Sequence, residues 1–427
     1  MESRVQKTTI RRRYTRLYIV PLLAGSLATG AWAQKSLTWD QAKLEFEATN
    51  PNLRAARIGI QESRADEVTA FLRPNPDLTV AADQFTFFNG NPYRPFTDVE
   101  PIFAGSYLVE RRHKRELRRE SARGATAIAI SQLADQERNL LFDLRTAFVQ
   151  VLQQKAVLGV TQESLAYYDR VLGVSRDRLK AGDIAQVDFD RLDLQRVQFE
   201  TDVQTSLINL RTAKIQFRAL LNDRTPIDDL DVRGPFDFTE ALKPLEEFRQ
   251  MALDNRPDLR AAVQAVTKAR TDYKLAIANG STDPTFGIDI ARDPPIPAYI
   301  GFSIDIPLRI FDRNQGEKER TRLDIGRNER LVDATQAQIF SDVDSAYVAI
   351  QGNLVLLRPY KSKYLGEAVR VRETISYSYQ HGGASLLDFL QAQQDYRSIQ
   401  LGYLNLVGAY LTAAAQMSVA VGREVIL

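Results

Sequence analysis

The chain of 427 residues contains no cysteine, only two histidines and only three methionines. The absence of cysteine excludes a disulfide framework, and it also excludes a lipid anchor on a cysteine after a signal sequence. Soft-metal sites need clusters of cysteine, histidine or methionine ligands, and His113 and His381 lie far apart in the sequence. We therefore expect neither a resident metal ion nor a cofactor.

Enzyme signatures are absent as well. The chain has no HExxH, GxSxG or GxxxxGK[ST] motif, and no spacing of its many carboxylates singles out an acid–base pair. The formal net charge of +2 is small for 427 residues, so there is no basic footprint for nucleic acid. The sequence predicts a protein that is not an enzyme and has no nucleic-acid partner.

The N-terminus has the pattern of a signal peptide. Arg11, Arg12, Arg13 and Arg16 precede a mostly apolar stretch over residues 17–30, and Ala31-Trp32-Ala33 is a small-x-small cleavage site. A transmembrane helix needs roughly 20 apolar residues, so this stretch is too short. Residues 1–33 are predicted to be removed on secretion, which places the mature chain outside the cytoplasm.

Proline is absent from two long windows, Ile102–Thr225 and Tyr360–Leu427. Both windows are rich in Ala, Leu, Gln, Arg and Glu, which favour helix. We expect long helices near 111–180 and 315–377, with Pro359 interrupting the second. A heptad seam of mostly apolar residues follows the first helix, as in a coiled coil; it runs Phe189, Leu192, Arg196, Phe199, Val203, Ser206, Leu210, Ala213, Phe217, Leu220.

Three segments recur in the same order at an offset near 200 residues. Residues 50–56 return at 255–262, residues 142–149 at 341–348, and residues 181–189 at 381–389. A repeat of this length is too large for one solenoid unit. It predicts two similar halves, 34–222 and 247–427, joined by a Pro-containing linker at 223–246.

Each half contains a segment that reads as two strands, at 78–109 and at 286–308. In the second half Phe286, Ile288 and Ile290 alternate with small or acidic residues, and Phe302 and Ile304 do so in the following strand. Asp289 and Asp305 fall on the small, acidic face. Strands of about ten residues with one apolar and one polar face are used by transmembrane barrels. The alternative is a small sheet packed on the helices of a soluble protein.

Two glycine-containing turns, near 180–187 and 380–387, end the long helices. Gly182 and Gly382 supply the permissive backbone that such helix ends favour. Each half is thus a strand pair at one end and a helical hairpin at the other.

Four strands cannot close a barrel, since about eight is the smallest closed size, and open strand edges are not tolerated in lipid. A membrane protein with this pattern must therefore combine strands from several chains. The competing hypothesis is a soluble periplasmic coiled-coil scaffold or adaptor protein held by helix pairing alone.

Two segments carry a resemblance to a known family. Residues 379–392, YQHGGASLLDFLQA, resemble the second tip turn of the TolC-like outer-membrane efflux family. Residues 306–317, IPLRIFDRNQGE, are similar to the strand-to-helix junction of the branch that serves cobalt–zinc–cadmium cation efflux. The resemblance extends over essentially the whole mature chain.

The resemblance implies a mainly α fold with a small transmembrane β part. Four strands per chain would contribute to a trimeric twelve-stranded β-barrel, and long helical hairpins would form a periplasmic barrel below it. It also implies a passive export duct in the cell outer membrane, in contact with lipid. An inner-membrane pump and a periplasmic adaptor protein supply energy and selectivity in such systems. The exported substrate, metal ions or organic compounds, stays open.

The resemblance also suggests site residues. Asp388 matches the first of two acidic positions that ring the periplasmic aperture in some members, Gln391 occupies the second, and Tyr379 matches a tyrosine that helps hold the tip closed. Asp388 is equally explained as an acid at a helix N-terminus, stabilised by the helix dipole. Asp289 and Asp305 would line the barrel lumen. The expected tip turns and adaptor-docking positions are Gly182, Val187, Gly382 and Leu386.

Overall fold

The computed structural model describes residues 35–85, 96, 99–293 and 295–426. The signal peptide predicted for residues 1–33 lies outside the described residues. The helices and strands follow in this order: β1 Lys35–Leu37, α1 Trp39–Thr49, α2 Pro51–Phe71, β2 Asp77–Asp83, β3 Glu100–Leu108, α3 Lys114–Ala181, α4 Gln186–Leu220, β4 Leu230–Val232, α5 Leu245–Asn255, α6 Pro257–Asn279, β5 Thr285–Ala291, β6 Tyr299–Asp305, α7 Gln315–Pro359, a π-helical turn Tyr360–Tyr364, α8 Leu365–Gln380, and α9 Leu386–Val421.

The order of two short helices, two strands and a long helical hairpin occurs twice, which confirms the predicted internal repeat. The first two helices of each half are divided at the repeated proline, Pro51 in one half and Pro257 in the other. Proline is favoured in the first turn of a helix, where its missing N–H has no partner to lose. Asn50 caps the N-terminus of α2, since its side chain accepts hydrogen bonds from Asn52 N and Leu53 N.

The long helices match the proline-free windows. Helix α3 has 68 residues, about 100 Å at a rise of ~1.5 Å per residue. Its counterpart in the second half is interrupted where predicted, because a π-helical turn directly follows Pro359. Proline lacks an N–H and crowds the preceding turn, and the chain accommodates this with one wider turn before α8 continues to the tip.

The predicted seam of α4 faces its neighbours. Leu192, Phe199 and Phe217 are buried, and α4 packs chiefly along α3. Arg196, which breaks the apolar run, donates from Nε to Asp169 Oδ1 of α3 at 2.6 Å. The seam is therefore the packing face of an antiparallel helix pair, with one ion pair included.

Two three-residue strands, β1 and β4, pair in parallel from Lys35↔Leu230 to Leu37↔Val232. Neither strand is predicted from the sequence, because three residues are too few to show a period of two. Strand β4 lies inside the segment 223–246 that was predicted to be only a linker. The pair ties the start of the first half to the start of the second.

The largest apolar clusters lie at the middle of α3 and at the C-terminal parts of α4, α7 and α9, where the short helices pack on them. Among the described helices, α9 alone is long and apolar enough by composition to cross a membrane. Val407, Tyr410 and Met417 of α9 are buried in the core. Packing inside the protein therefore accounts for its apolar character.

Candidate functional site

Strands β2, β3, β5 and β6 form one antiparallel sheet in that order. The register sets Ile288 opposite Phe302 and Asp289 opposite Gly301. Directly opposed residues share a face, so the alternation of all four strands falls into phase. One face is almost entirely apolar and is formed by Leu78, Val80, Ala82, Pro101, Phe103, Gly105, Tyr107, Phe286, Ile288, Ile290, Ile300, Phe302 and Ile304.

This apolar face is uncovered in the described part of the chain. Phe302 is 82% exposed and Leu78 is 77% exposed. A sheet packed on helices would bury these side chains, as the soluble-scaffold hypothesis requires. A contiguous exposed apolar surface instead marks contact with a partner or with lipid.

The opposite face carries every acidic residue of the four strands. Asp289 and Asp305 lie on it as predicted from their alternation, and the register adds Asp77, Asp83 and Glu100. None of the four strands contains Lys or Arg. This face therefore has a uniformly negative character.

The acidic face is closely packed around Asp289. A Cβ atom at Gly301 would lie 2.6 Å from Asp289 Oδ1, well inside van der Waals contact. A side chain at position 301 would require the carboxylate of Asp289, which leans across the strand pair, to shift. The small residues of this face thus make room for its acids.

The sheet has two outer strands, β2 and β6, each paired on one side within the described residues. Unpaired edges present a row of free N–H and C=O groups that pair readily with another strand. Four tilted strands form only part of a closed barrel. The sheet is therefore built for completion by further chains.

A buried ion pair fixes the sheet to the long helices. Lys114, in the first turn of α3, is buried and donates from Nζ to Asp283 Oδ2 at 2.6 Å and to the carbonyl of Ser281 at 2.9 Å. Asp283 also accepts from the backbone N of Arg111 at 2.9 Å. Asp283 stands two residues before β5, so one carboxylate joins the strands of the second half to the long helix of the first.

At the other end of the molecule the two tip turns have the same backbone. Gly182 and Gly382 both adopt the left-handed conformation, with φ of +83° and +78°. In each turn the residue after the glycine donates to a carbonyl five residues back, Asp183 to Arg178 and Gly383 to Ser378. This pairing closes a helix end that favours glycine, so both glycines are required by geometry.

Between the two turns lies an aromatic cluster that we call the tip core, formed by Tyr168, Val171, Leu172, Leu192, Phe199, Tyr379 and Phe389. Tyr379 stacks on Phe389, with ring centroids 5.0 Å apart. Tyr168 donates to the carbonyl of Leu192 at 3.0 Å, and burial raises the pKa of its hydroxyl. The cluster takes residues from α3, α4, α8 and α9, and it therefore joins the two helical hairpins.

Tyr379 was expected at the periplasmic aperture, and the structure places it inside the tip core. Its hydroxyl is buried and has no hydrogen-bond partner among the described residues. Its carbonyl accepts from Arg178 Nη1 at 2.7 Å, which links the two hairpins again. Any action of Tyr379 on the opening must therefore pass through packing.

Asp388 lies on the surface of the tip. Ser385 caps α9, and its backbone N and hydroxyl both donate to Asp388 Oδ2, at 3.1 and 2.7 Å. These hydrogen bonds lower the pKa of the Asp388 carboxyl below its ordinary value. The carboxylate thus serves as a helix-capping acid in one chain while staying exposed for a second role. Gln391, one turn later, donates to Asp395 at 2.7 Å.

The expected docking positions separate into exposed and packed ones. Val187 is 58% exposed, whereas Leu386 packs against the tip core. The residue after it, Leu387, is 75% exposed and stands at the same place in the second turn as Val187 does in the first. The exposed apolar pair of the tips is therefore Val187 and Leu387.

No group of three or more Asp, Glu or His side chains gathers as a metal-ion site within the part of the chain that the structure describes. The acids of the sheet face are spread along four strands instead.

Comparison with known proteins agrees with this architecture. The profile of the outer membrane efflux protein family matches residues 297–423, from β6 to the end of α9. The cobalt-zinc-cadmium resistance protein CzcC of Cupriavidus metallidurans is 24% identical over 400 residues, which are 91% of this chain and 90% of CzcC. The outer membrane efflux protein BepC of Brucella suis is 20% identical, over 94% of this chain and 89% of BepC.

The fold also has solved counterparts. A crystal structure of CusC, described for its folding and transmembrane channel formation, superposes with a TM-score of 0.74. The alignment covers 96% of this chain and 99% of that one at 17% identity. The mainly helical fold with a small β part is thus confirmed.

Proposed function

Since the chain is a TolC-like outer-membrane efflux protein, we propose that three copies of it form a passive duct that exports metal cations from the periplasm to the exterior. The observation that carries the proposal is the sheet face with five carboxylates and no base. In a closed barrel the apolar face contacts lipid, and the face with the carboxylates lines the lumen.

The trimer is supported by the sheet and by the family. Proteins of this family are trimeric and work with an adaptor and an inner-membrane pump. Four strands per chain, with edges at β2 and β6, give a twelve-stranded barrel when three copies join. The hairpins of the three chains then continue the tube into the periplasm.

Metal cations are supported by charge and by the relative named for cobalt, zinc and cadmium resistance. Rings of Asp and Glu in a pore favour cations, and transport requires binding weak enough for release. Acids that are spread over several levels of the sheet attract cations without forming a tight site. The acids of this face are Asp77, Asp83, Glu100, Asp289 and Asp305.

At the periplasmic end we propose Asp388 and Gln391 as aperture residues, with Tyr379 acting through the tip core. The turns at Gly182 and Gly382 present Val187 and Leu387 to an adaptor protein, with Leu387 taking the place first assigned to Leu386. Exposed apolar side chains on otherwise polar turns suit a docking surface.

Removal of this protein from its native host tests the substrate. We expect sensitivity to zinc, cobalt and cadmium salts to rise, with sensitivity to organic dyes and detergents unchanged, and the full chain to restore tolerance. Growth inhibition across a concentration series of each compound measures this. The reverse pattern, with dyes affected and metals not, would assign the duct to organic compounds.

The double change Asp289→Asn and Asp305→Asn is expected to reduce the preference of the pore for cations. Each amide keeps the size of the acid and removes one negative charge per chain from the lumen wall. Reversal potentials in planar bilayers under a salt gradient measure the change, with Asp333→Asn on the exposed face of α7 as the matched control. An unchanged reversal potential in the double variant would place these acids outside the conducting path.

A further inference from the structure

A cavity of about 390 Å³ lies where α1, α3 and α9 meet, closed on one side by residues 422–426. We call it the equatorial cavity. Its size falls in the range of small-molecule pockets, ~300–1,000 Å³. Apolar side chains make up much of its wall, among them Leu141, Phe142, Leu411 and Ala415.

A cation with no carboxylate partner in the described part of the chain lies in this wall. The guanidinium of Arg145 stands 4.4 Å from the ring centre of Trp39, and it makes no hydrogen bond or ion pair with a carboxylate among the described residues. Burial lowers the pKa of Arg145, and the more distant charges of Glu424 and Asp40 oppose this only in part. Burying a charge without a counter-charge is costly, so an anion in the cavity would gain a ready partner.

The second half of the chain shows what normally fills this position. By the repeat, Arg145 of α3 corresponds to Asp344 of α7, and Lys43 of α1 corresponds to Arg249 of α5. Arg249 donates to both carboxylate oxygens of Asp344, at 2.9 and 2.6 Å. In the first half Lys43 pairs instead with Glu424, at 3.6 Å between Nζ and Oε1, and Arg145 is a second cation where the second half has a carboxylate.

We propose that the equatorial cavity binds an amphipathic monocarboxylate. Its carboxylate lies at Arg145, beside the ion pair of Lys43 and Glu424, and supplies the negative charge that Asp344 supplies in the second half. Its hydrocarbon body packs on Leu141, Leu411 and Ala415. A singly charged head group fits better than a phosphate dianion, because Glu137 and Glu424 also line the cavity and repel a second negative charge.

The chain provides its own reporter. It contains two tryptophans, Trp32 and Trp39, and Trp32 belongs to the predicted signal peptide. In the mature protein, Trp39 in the cavity wall would be the single tryptophan. Titration of the purified full-length mature protein, held in amphipol, with octanoate is expected to change tryptophan fluorescence in a saturable way.

The variant Arg145→Gln is expected to weaken octanoate binding about tenfold or more, as loss of a charged hydrogen-bond partner does. Octan-1-ol, which has the same chain without the charge, should bind more weakly than octanoate and respond little to the variant. Arg327→Gln, on the exposed face of α7, is the matched control and should bind octanoate like the wild type.

A second variant separates binding from folding. Arg145→Asp recreates the arrangement of the second half, with Lys43 as the partner. It should keep the wild-type thermal unfolding midpoint and lose the octanoate response. The proposal is overturned if octanoate leaves the fluorescence unchanged, if Arg145→Gln binds it like the wild type, or if octan-1-ol binds as tightly.

Discussion

Replacing Phe302 and Ile304 together with lysine is expected to abolish assembly of the protein in the outer membrane. Both side chains lie on the apolar face of β6, 82% and 61% exposed, so they contribute nothing to the core of a single chain. A lysine on the lipid face of a barrel costs about 2–4 kcal/mol near the bilayer midplane. Three chains would carry six such lysines. Membrane fractionation with native electrophoresis after mild detergent extraction measures the loss.

The matched control uses the same strand and the other face. Ser303→Lys with Asp305→Lys shifts the two lysines by one residue, to the face that carries Asp289, where water fills the lumen. Trimers in normal amounts are expected from this variant. Equal behaviour of the two double variants, whether both assemble or both fail, would contradict the assignment of the lipid face.

The strand pairs could be predicted because a period of two is a local signal. The limits of the strands were less accurate. Alternation continues to Leu308, whereas β6 ends at Asp305. Pro307 has no N–H to donate to a ladder, so the apolar pattern outlasts the hydrogen-bonded strand. The alternation of apolar and polar residues thus located the sheet, and backbone hydrogen bonding decided where its strands end.

The acidic residues of the sheet show which parts of the site could be predicted only with the fold in hand. Asp289 and Asp305 follow from alternation within their own strands. That Asp77, Asp83 and Glu100 share their face depends on the pairing of β3 with both β2 and β5. The register of β2 with β3 is local, whereas that of β3 with β5 pairs residues from the two halves, such as Ile102 and Ala291, and a single sequence does not contain it.

The different exposure of Leu386 and Leu387 has a simple geometric cause. One residue along a helix turns the side chain by about 100°, since a turn has 3.6 residues. Ser385 is the cap of α9, which places Leu386 over the tip core and Leu387 in solvent. The turn itself was predictable from its glycines, and the phase of the helix after it was not.

The cavity beside Arg145 could not be located from the sequence, because its wall is assembled from distant segments. Trp39, Arg145 and Glu424 are brought together from α1, α3 and the segment after α9. Only the comparison of the two halves, Lys43 with Arg249 and Arg145 with Asp344, carries a trace of it in the sequence. That trace gains meaning once the structure shows Arg249 and Asp344 paired.

Phe389→Ala is expected to loosen the contact between the two helical hairpins at their tips. Phe389 is fully buried between Tyr379, stacked at 5.0 Å, and Tyr168, at 6.1 Å. Truncating a buried phenylalanine costs about 3–5 kcal/mol. Because the tip core joins α3 and α4 to α8 and α9, this loss falls on the contact between the two hairpins. Amide hydrogen exchange should speed up in both tip turns, while the two apolar clusters beside the short helices keep their protection.

Leu387→Ala is the matched control, two residues away and 75% exposed. It removes apolar surface from the proposed docking site and none from the tip core, so exchange at the tips should stay at the wild-type rate while crosslinking to a periplasmic adaptor falls. In the Phe389 variant the larger effect should instead be on hydrogen exchange at the tips, and the smaller on adaptor crosslinking. If Phe389→Ala left the exchange of both turns unchanged, the tip core would not hold the hairpins together. If Leu387→Ala kept full adaptor crosslinking, the docking surface would lie elsewhere.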